Sequence, residues 1–191
     1  MRIAICDDDK TFLKELRTHI EQFDVTKDCE IEEFISGNAL LESFSKAKYD
    51  IIILDIEMTG LNGMQTAQEI RNADDKVIIA FLTSYDDFAI QGYAVKAERY
   101  ILKHQPETLY QEQLLSIFNE YTQKHKLFRY KSQNKNFTVR LIDIYYFEIY
   151  KRKIYVYTEN GIFDYYGKIA DLENQYKSDG FVRSNKNHLV N

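Results

Sequence analysis

Asp50-Ile51-Ile52-Ile53-Leu54-Asp55-Ile56-Glu57-Met58 constrains the fold more than any other stretch of this 191-residue chain. Four branched apolar residues run without alternation and stop at a carboxylate. A strand reads this way when both faces of its sheet are covered, as in parallel α/β sheets. So short a run also fits a buried helical segment. Its β-branched content and the turn chemistry of Thr59-Gly60-Leu61-Asn62-Gly63 just after it favour the strand. Ligands of open parallel sheets bind outside the carboxyl ends of the strands, which is where Asp55 stands.

The rest of the first two thirds repeats this grammar. Arg2 to Cys6 is a short apolar strand ending in Asp7-Asp8-Asp9, and Phe12, Leu13, Leu16, Ile20 and Phe23 then follow at helical spacing. Glu30 to Ile35 reads as a second strand, and Ser36-Gly37-Asn38 opens a helix carrying Leu40, Leu41 and Phe44. Gly63 begins a helix with Met64, Ala67 and Ile70 inward. Lys76 to Leu82 is another continuous apolar strand, stopping at Thr83-Ser84. Asp86 to Tyr93 suits a short helix, and Arg99 to Leu102 a fifth strand that ends at Lys103. Pro106 stands at the entry to a helix through Leu114, Leu115, Phe118 and Tyr121. Five β/α repeats in residues 1–125 predict an α/β fold, a doubly wound five-stranded parallel sheet.

Beyond Lys126 the period changes to two, which predicts a smaller, mostly-β domain over 127–191. Phe137 to Leu141 alternates, and Lys153 to Thr158 and Gly161 to Tyr166 read as strands joined through the hairpin signal Asn160-Gly161. Nine of the 15 tyrosines lie here, and a short amphipathic helix (Ile169, Leu172, Tyr176) precedes Gly180 and the strand-like Phe181-Val182-Arg183. Charge divides the same way. Residues 127–191 hold 11 Lys/Arg against 7 Asp/Glu, so the net −5 of the chain conceals about −9 in the first part. An acidic part and a basic part imply different partners.

No apolar run approaches the roughly 18 residues of a membrane span, and the start MRIAICDDD lacks signal-peptide form, so the expected location is cytoplasmic with no membrane partner. Cys6 and Cys29 are too few for a disulfide framework, and Cys6 reads as a small buried hydrophobe. With only 7 glycines, no Gly-rich phosphate loop and no placeable Ser-His-Asp or Cys-His set, a metabolic enzyme is disfavoured.

Parallel strands put Asp7, Asp8, Asp9, Asp55, Thr83 and Lys103 on one sheet edge. Taken singly, the aspartates suit helix N-capping and Lys103 a solvated charge. Together, converging carboxylates repel unless a cation sits among them or one is protonated. Hard oxygen ligands suit Mg2+, which keeps waters and binds phosphate. A carboxylate can also attack a phosphoryl group, whose oxygens a hydroxyl and an ammonium would stabilise.

On Cys6-Asp7-Asp8-Asp9, Leu54-Asp55-Ile56-Glu57-Met58, Leu82-Thr83-Ser84 and Tyr100-Ile101-Leu102-Lys103, residues 1–125 resemble the flavodoxin-like receiver domain of two-component response regulators. The resemblance implies that Asp55 accepts phosphate from a sensor histidine kinase. Asp7, Asp8, Asp55 and the main-chain carbonyl of Glu57 would hold Mg2+, Thr83 and Lys103 would contact the phosphoryl group, and Tyr100 would be the switching aromatic. Phosphorylation would shift the chain toward a homodimer through the face near Tyr93 to Tyr100 and the Pro106 helix. The chain would then be no enzyme beyond its own autophosphorylation and autodephosphorylation at Asp55. Two positions depart from the pattern. His104 replaces the proline that usually follows the lysine through a cis bond, which before a non-proline residue costs about 3 kcal/mol. Thr59 replaces the proline after Met58.

Phe147-Glu148-Ile149 before a basic turn, and Phe181-Val182-Arg183 running to Leu189-Val190-Asn191, resemble the LytTR-type DNA-binding domain. That resemblance implies promoter DNA as a partner, with Lys151, Arg152 and Lys153 and the segment Lys186-Asn187 on DNA-contacting loops. Asn185 stands where that family usually has His, and the family domain normally continues for several strands beyond the point where this chain stops. The expected function is a phosphorylation-switched transcription factor; the alternative is a stand-alone phosphotransfer or protein-interaction module without DNA binding.

Overall fold

The structure is a computed structural model and describes residues 1–85, 92–132 and 135–191. The chain divides into two compact units, Met1–Asn119 and Glu120–Asn191.

The first unit contains β1 (Arg2–Cys6), α1 (Lys10–Gln22), β2 (Glu30–Phe34), α2 (Gly37–Phe44), β3 (Ile51–Leu54), α3 (Gly63–Ala73), β4 (Ile78–Thr83), β5 (Arg99–Leu102) and the start of α4 (Glu107–His125). Its strands are parallel in the order β2-β1-β3-β4-β5, the doubly wound arrangement expected. Every residue of β3 is buried, as an unalternating apolar run requires. Successive side chains still point to opposite faces. Ala4, Cys6, Ile52, Leu54, Ile79 and Phe81 pack with Leu40, Ala67 and Ile70 of α2 and α3. That leaves Ile3, Ile5, Ile51 and Ile53 for the other face. There α1 and α4 meet through His19 Nδ1 and the Tyr110 hydroxyl, 2.6 Å apart, and Phe23, just past α1, sets its ring centroid 6.0 Å from that of Phe118.

Local chemistry shifts several element edges from their sequence expectation. β4 begins at Ile78 rather than Lys76, because the Asp74 carboxylate accepts from the amides of Lys76 (2.7 Å) and Val77 (3.2 Å) and holds them in a turn. The buried stripe of α4 is Tyr110, Leu114, Ile117 and Phe118, so Leu115 and Tyr121 lie off the inward face. Phe12 is half-buried and leaves the α1 core to Leu13, Leu16 and Ile20. Cys6 is buried as expected, 3.5 Å from Met58 Sδ, and burial pushes its thiol up to about 12. Most of the helix expected over Asp86 to Tyr93 lies outside the described residues; Tyr93–Val95 is a 3-10 turn. The Lys103-His104 bond is trans, since no cis peptide occurs among the described residues.

The second unit pairs β6 (Leu127–Ser132) with β7 (Lys135–Arg140). A separate antiparallel sheet has the order β10-β9-β8-β12-β11, built from β8 (Ile144–Tyr150), β9 (Lys153–Thr158), β10 (Gly161–Tyr166), β11 (Val182–Arg183) and β12 (His188–Val190). Helix α5 (Ile169–Tyr176) buries Ile169, Leu172 and Tyr176 against Phe128, Phe147, Val156 and Leu189. Asp179, its side chain 1 % exposed, receives both its oxygens' partners from Lys126 Nζ, at 2.6 and 2.8 Å. The β9–β10 connection is Glu159-Asn160, and the positive φ falls on Gly161 itself (129°), so this is not a two-residue Asn-Gly turn. Among the described residues no helix is long and apolar enough to cross a membrane.

Candidate functional site

Parallel pairing carries four strand ends to one edge, and the ladder continues one residue past three of them. The Asp7 amide donates to the Phe34 carbonyl (3.0 Å), the Asp55 amide to Cys6 (2.9 Å) and the Lys103 amide to Thr83 (2.8 Å). The side chains at these positions are therefore set by sheet geometry rather than by flexible loops.

Asp7 and Asp55 are 3 % and 7 % exposed. Lys103 Nζ bridges them, 2.5 Å from Asp7 Oδ2 and 3.2 Å from Asp55 Oδ2. The Phe12 ring lies over that ammonium at 4.4 Å, which explains why Phe12 is withheld from the core. The other Asp55 oxygen, Oδ1, accepts from the Ile56 amide at 2.8 Å. Burial raises the Asp7 carboxyl above its ordinary value, and its hydrogen bond from Lys103 opposes the shift. Asp8 is exposed, with Oδ2 accepting from both the amide (3.0 Å) and hydroxyl (3.1 Å) of Thr59. Asp9 does not join the cluster. It caps α1, accepting from the amides of Thr11 and Phe12.

One oxygen each from Asp7, Asp8 and Asp55 lies within 4.8 Å of the others, the spacing of oxygens around one hard cation. With all three ionised, Lys103 offsets one charge of three, so the donor set and its charge both fit a divalent cation. Thr83 is fully buried, and its Oγ1 has no hydrogen-bond partner among the described residues. An unpartnered buried hydroxyl is costly unless a ligand uses it. Tyr100 donates its hydroxyl to the Tyr85 carbonyl and sets its ring 6.1 Å from Phe81. The Tyr85 hydroxyl in turn donates to the exposed Glu57 carboxylate, which raises the phenol above its ordinary value.

Phe12, Thr59, Gly63 and Tyr85 belong to this site although sequence reasoning did not place them in it. Thr59 carried a signal, since it is a departure from a family proline. Phe12 carried none, because its spacing matches the core stripe.

In the second unit, the expected DNA contacts share one end of the five-stranded sheet. Lys151 and Arg152 form the β8–β9 turn, with φ of 49° and 68°. Beside them, the Ile149 amide donates to the Asn187 carbonyl (2.8 Å), which brings the Lys186-Asn187 segment to the same end. Asn185 organises that loop, its Oδ1 accepting from the amides of Asn187 and His188. Lys153 differs from its neighbours, because its ammonium is held by Asp164 at 2.6 Å. Exposed Tyr150 and Tyr166 flank the basic turn, Tyr166 pairing in register with Lys153.

A five-stranded parallel sheet with an acidic cluster at its carboxyl edge and a bridging lysine defines a class, and the comparisons agree. Residues 3–114 match the family model described as response regulator receiver domain, and the chain belongs to that family. Residues 134–191 match the LytTr DNA-binding domain. Among curated relatives, sensory transduction protein LytT of Bacillus anthracis is 26 % identical over 211 aligned positions, covering all of this chain and 83 % of the relative. LytT of Oceanobacillus iheyensis is 32 % identical over 105 residues, covering 54 % of this chain and 42 % of its own length. The response regulatory domain of protein MrkE from Klebsiella pneumoniae superposes with a TM-score of 0.59 at 28 % identity, over 64 % of this chain and 99 % of that one. Response regulator TrrA of Thermotoga maritima, solved with Mg2+ and BeF, gives 0.53 at 28 % identity over 61 % and 97 %.

Proposed function

We propose that this chain is a phosphorylation-switched transcription regulator, with a receiver over residues 1–125 and a DNA-binding domain over 127–191. The observation that carries the proposal is the convergence on one sheet edge of Asp55, the bridging Lys103 and the Thr83 hydroxyl, which has no partner among the described residues.

A sensor histidine kinase presents a phosphohistidine to Asp55. An Asp55 carboxylate oxygen attacks phosphorus, the P–N bond breaks with its electron pair remaining on the histidine, and an aspartyl phosphate forms. Asp7, Asp8, Asp55 and the Glu57 carbonyl would hold Mg2+, which would supply positive charge to offset that on the phosphoryl oxygens. Lys103 gives one phosphoryl oxygen an ammonium donor, and Thr83 gives its hydroxyl to another. As Thr83 moves toward the phosphoryl group, the space beside it admits Tyr100, which must exchange its bond to Tyr85 for a new position. The altered face around Tyr93, 84 % exposed, and Tyr100 then favours a homodimer. Chemistry is confined to the gain and loss of this phosphoryl group.

Lys151 and Arg152 supply DNA phosphate contacts, while Lys186 and Asn187 lie nearer the base edges. Lys153 contributes less, since Asp164 already neutralises it. DNA as the partner is the ground for proposing that the chain acts in the cytoplasm.

The test is fluorescence anisotropy of the full chain with a duplex selected from a random pool and with a scrambled duplex, at several salt concentrations. Phosphorylated wild type should bind the selected duplex more tightly than the unphosphorylated form, and Asp55→Asn should not respond to phosphodonor. Loss of Lys151 or Arg152 should each flatten the salt slope by about one. No salt-dependent binding in either state would replace DNA with a protein partner.

A further inference from the structure

We infer that Thr59 is a positioning residue for the cation site, holding Asp8 so that it can ligate; the inference rests on the Mg2+ reading above. Asp8 is the one exposed carboxylate of the three, with neither Lys103 nor burial to fix it. What fixes it is Thr59, whose amide at 3.0 Å and hydroxyl at 3.1 Å both donate to the same oxygen, Oδ2. A free aspartate on a loop samples several rotamers, and ordering it at the moment of cation binding costs affinity. Two donors on one oxygen remove most of that freedom before the cation arrives and leave Oδ1 for coordination. Carboxylates that ligate metals are held in this manner by outer partners, whose removal weakens affinity about 10–100-fold.

The effect of two donors can also run the other way. Each withdraws charge from Asp8, and if Oδ2 is itself the ligating oxygen, Thr59 competes with the cation. Both donors sit on Oδ2 and neither reaches Oδ1, so positioning predicts weaker binding and competition predicts tighter binding when a donor is lost. Proline at this position could offer neither donor, having no N–H and no hydroxyl. This chain therefore has a determinant of cation affinity that the usual residue cannot provide.

Isothermal titration of Mg2+ into the unphosphorylated full chain tests this without any phosphotransfer readout. Thr59→Ser keeps both donors and should bind as wild type. Thr59→Val loses the hydroxyl alone and should bind about 3-fold more weakly, and Thr59→Pro loses both and should bind about 10-fold more weakly, the lower end because the pair is exposed. Circular dichroism of each variant checks that the loop change leaves the fold intact. Equal affinity across the series, or tighter binding by Thr59→Val and Thr59→Pro, overturns the positioning role while leaving the metal site standing. A wild type that takes up no Mg2+ overturns the metal reading itself, and the role of Thr59 with it.

Discussion

A β-carbon on Gly63 would lie 1.9 Å from the carbonyl oxygen of Asp55. The first turn of α3 thus rests against the backbone of Asp55, the proposed phosphoacceptor, locked there by the Gly63 amide donating to the Ile56 carbonyl at 2.8 Å. The obstacle is backbone rather than a side chain that could swing away. Gly63→Ala should destabilise the first unit by about 2 kcal/mol, roughly 4–8 °C in melting temperature. Calorimetry on the full chain checks it, and an unchanged melting temperature would mean that α3 can shift freely.

The buried hydroxyl of Thr83, without a hydrogen-bond partner among the described residues, opposes stability in the unphosphorylated protein. Thr83→Val keeps the shape and removes the polar atom, so it should stabilise the fold by about 1 kcal/mol. The same change should slow phosphorylation at Asp55 about tenfold or more, because one donor to the phosphoryl oxygens is gone. Thr83→Ser should retain the rate. Denaturant titration and labelling kinetics read the two effects separately.

Lys151 and Arg152 occupy the left-handed region in a two-residue turn that ordinarily prefers Asn-Gly. Each such residue costs roughly 1 kcal/mol. Lys151→Asn with Arg152→Gly should therefore raise the melting temperature of the second unit while flattening the salt slope of DNA affinity by about two. A pair of glutamine substitutions should flatten the slope equally with no gain in stability.

At the opposite end of the first sheet, Tyr49 donates to Glu32 Oε2 at 2.6 Å and Arg2 Nε to Oε1 at 2.9 Å. These hydrogen bonds, Tyr49 first, hold the Glu32 carboxyl below its ordinary 4.5. A depressed carboxyl contributes stability above its unfolded value and loses it as pH falls through the folded one. Glu32→Gln should cost about 1 kcal/mol at pH 7, and the gap to wild type should close below about pH 4. A gap that is constant from pH 7 to pH 3 would assign the loss to packing.

The sheet and its acidic edge were legible because both obey one rule: a covered strand is apolar until it ends, and the residue at or just past that end stands where parallel sheets bind ligands. Asp7, Asp55, Thr83 and Lys103 are all read by that rule. Phe12 and Thr59 are not, since cation–π cover of Lys103 and the Thr59–Asp8 contact join residues 91 and 51 positions apart and leave no periodic trace. Lys153 read as one of three equivalent cations. Its cross-strand pairing with Asp164 depends on hairpin register, which the misplaced β9–β10 turn obscured.

Asp55 is proposed to receive the phosphoryl group with help from a divalent cation. Intact-mass spectrometry of the full chain after incubation with a low-molecular-weight phosphodonor tests it directly. Wild type should gain one phosphoryl group with Mg2+ and none with a chelator, Asp8→Ala should lose the metal-dependent gain, and Asp55→Asn should gain nothing. Labelling of Asp55→Asn at the wild-type rate would contradict the account.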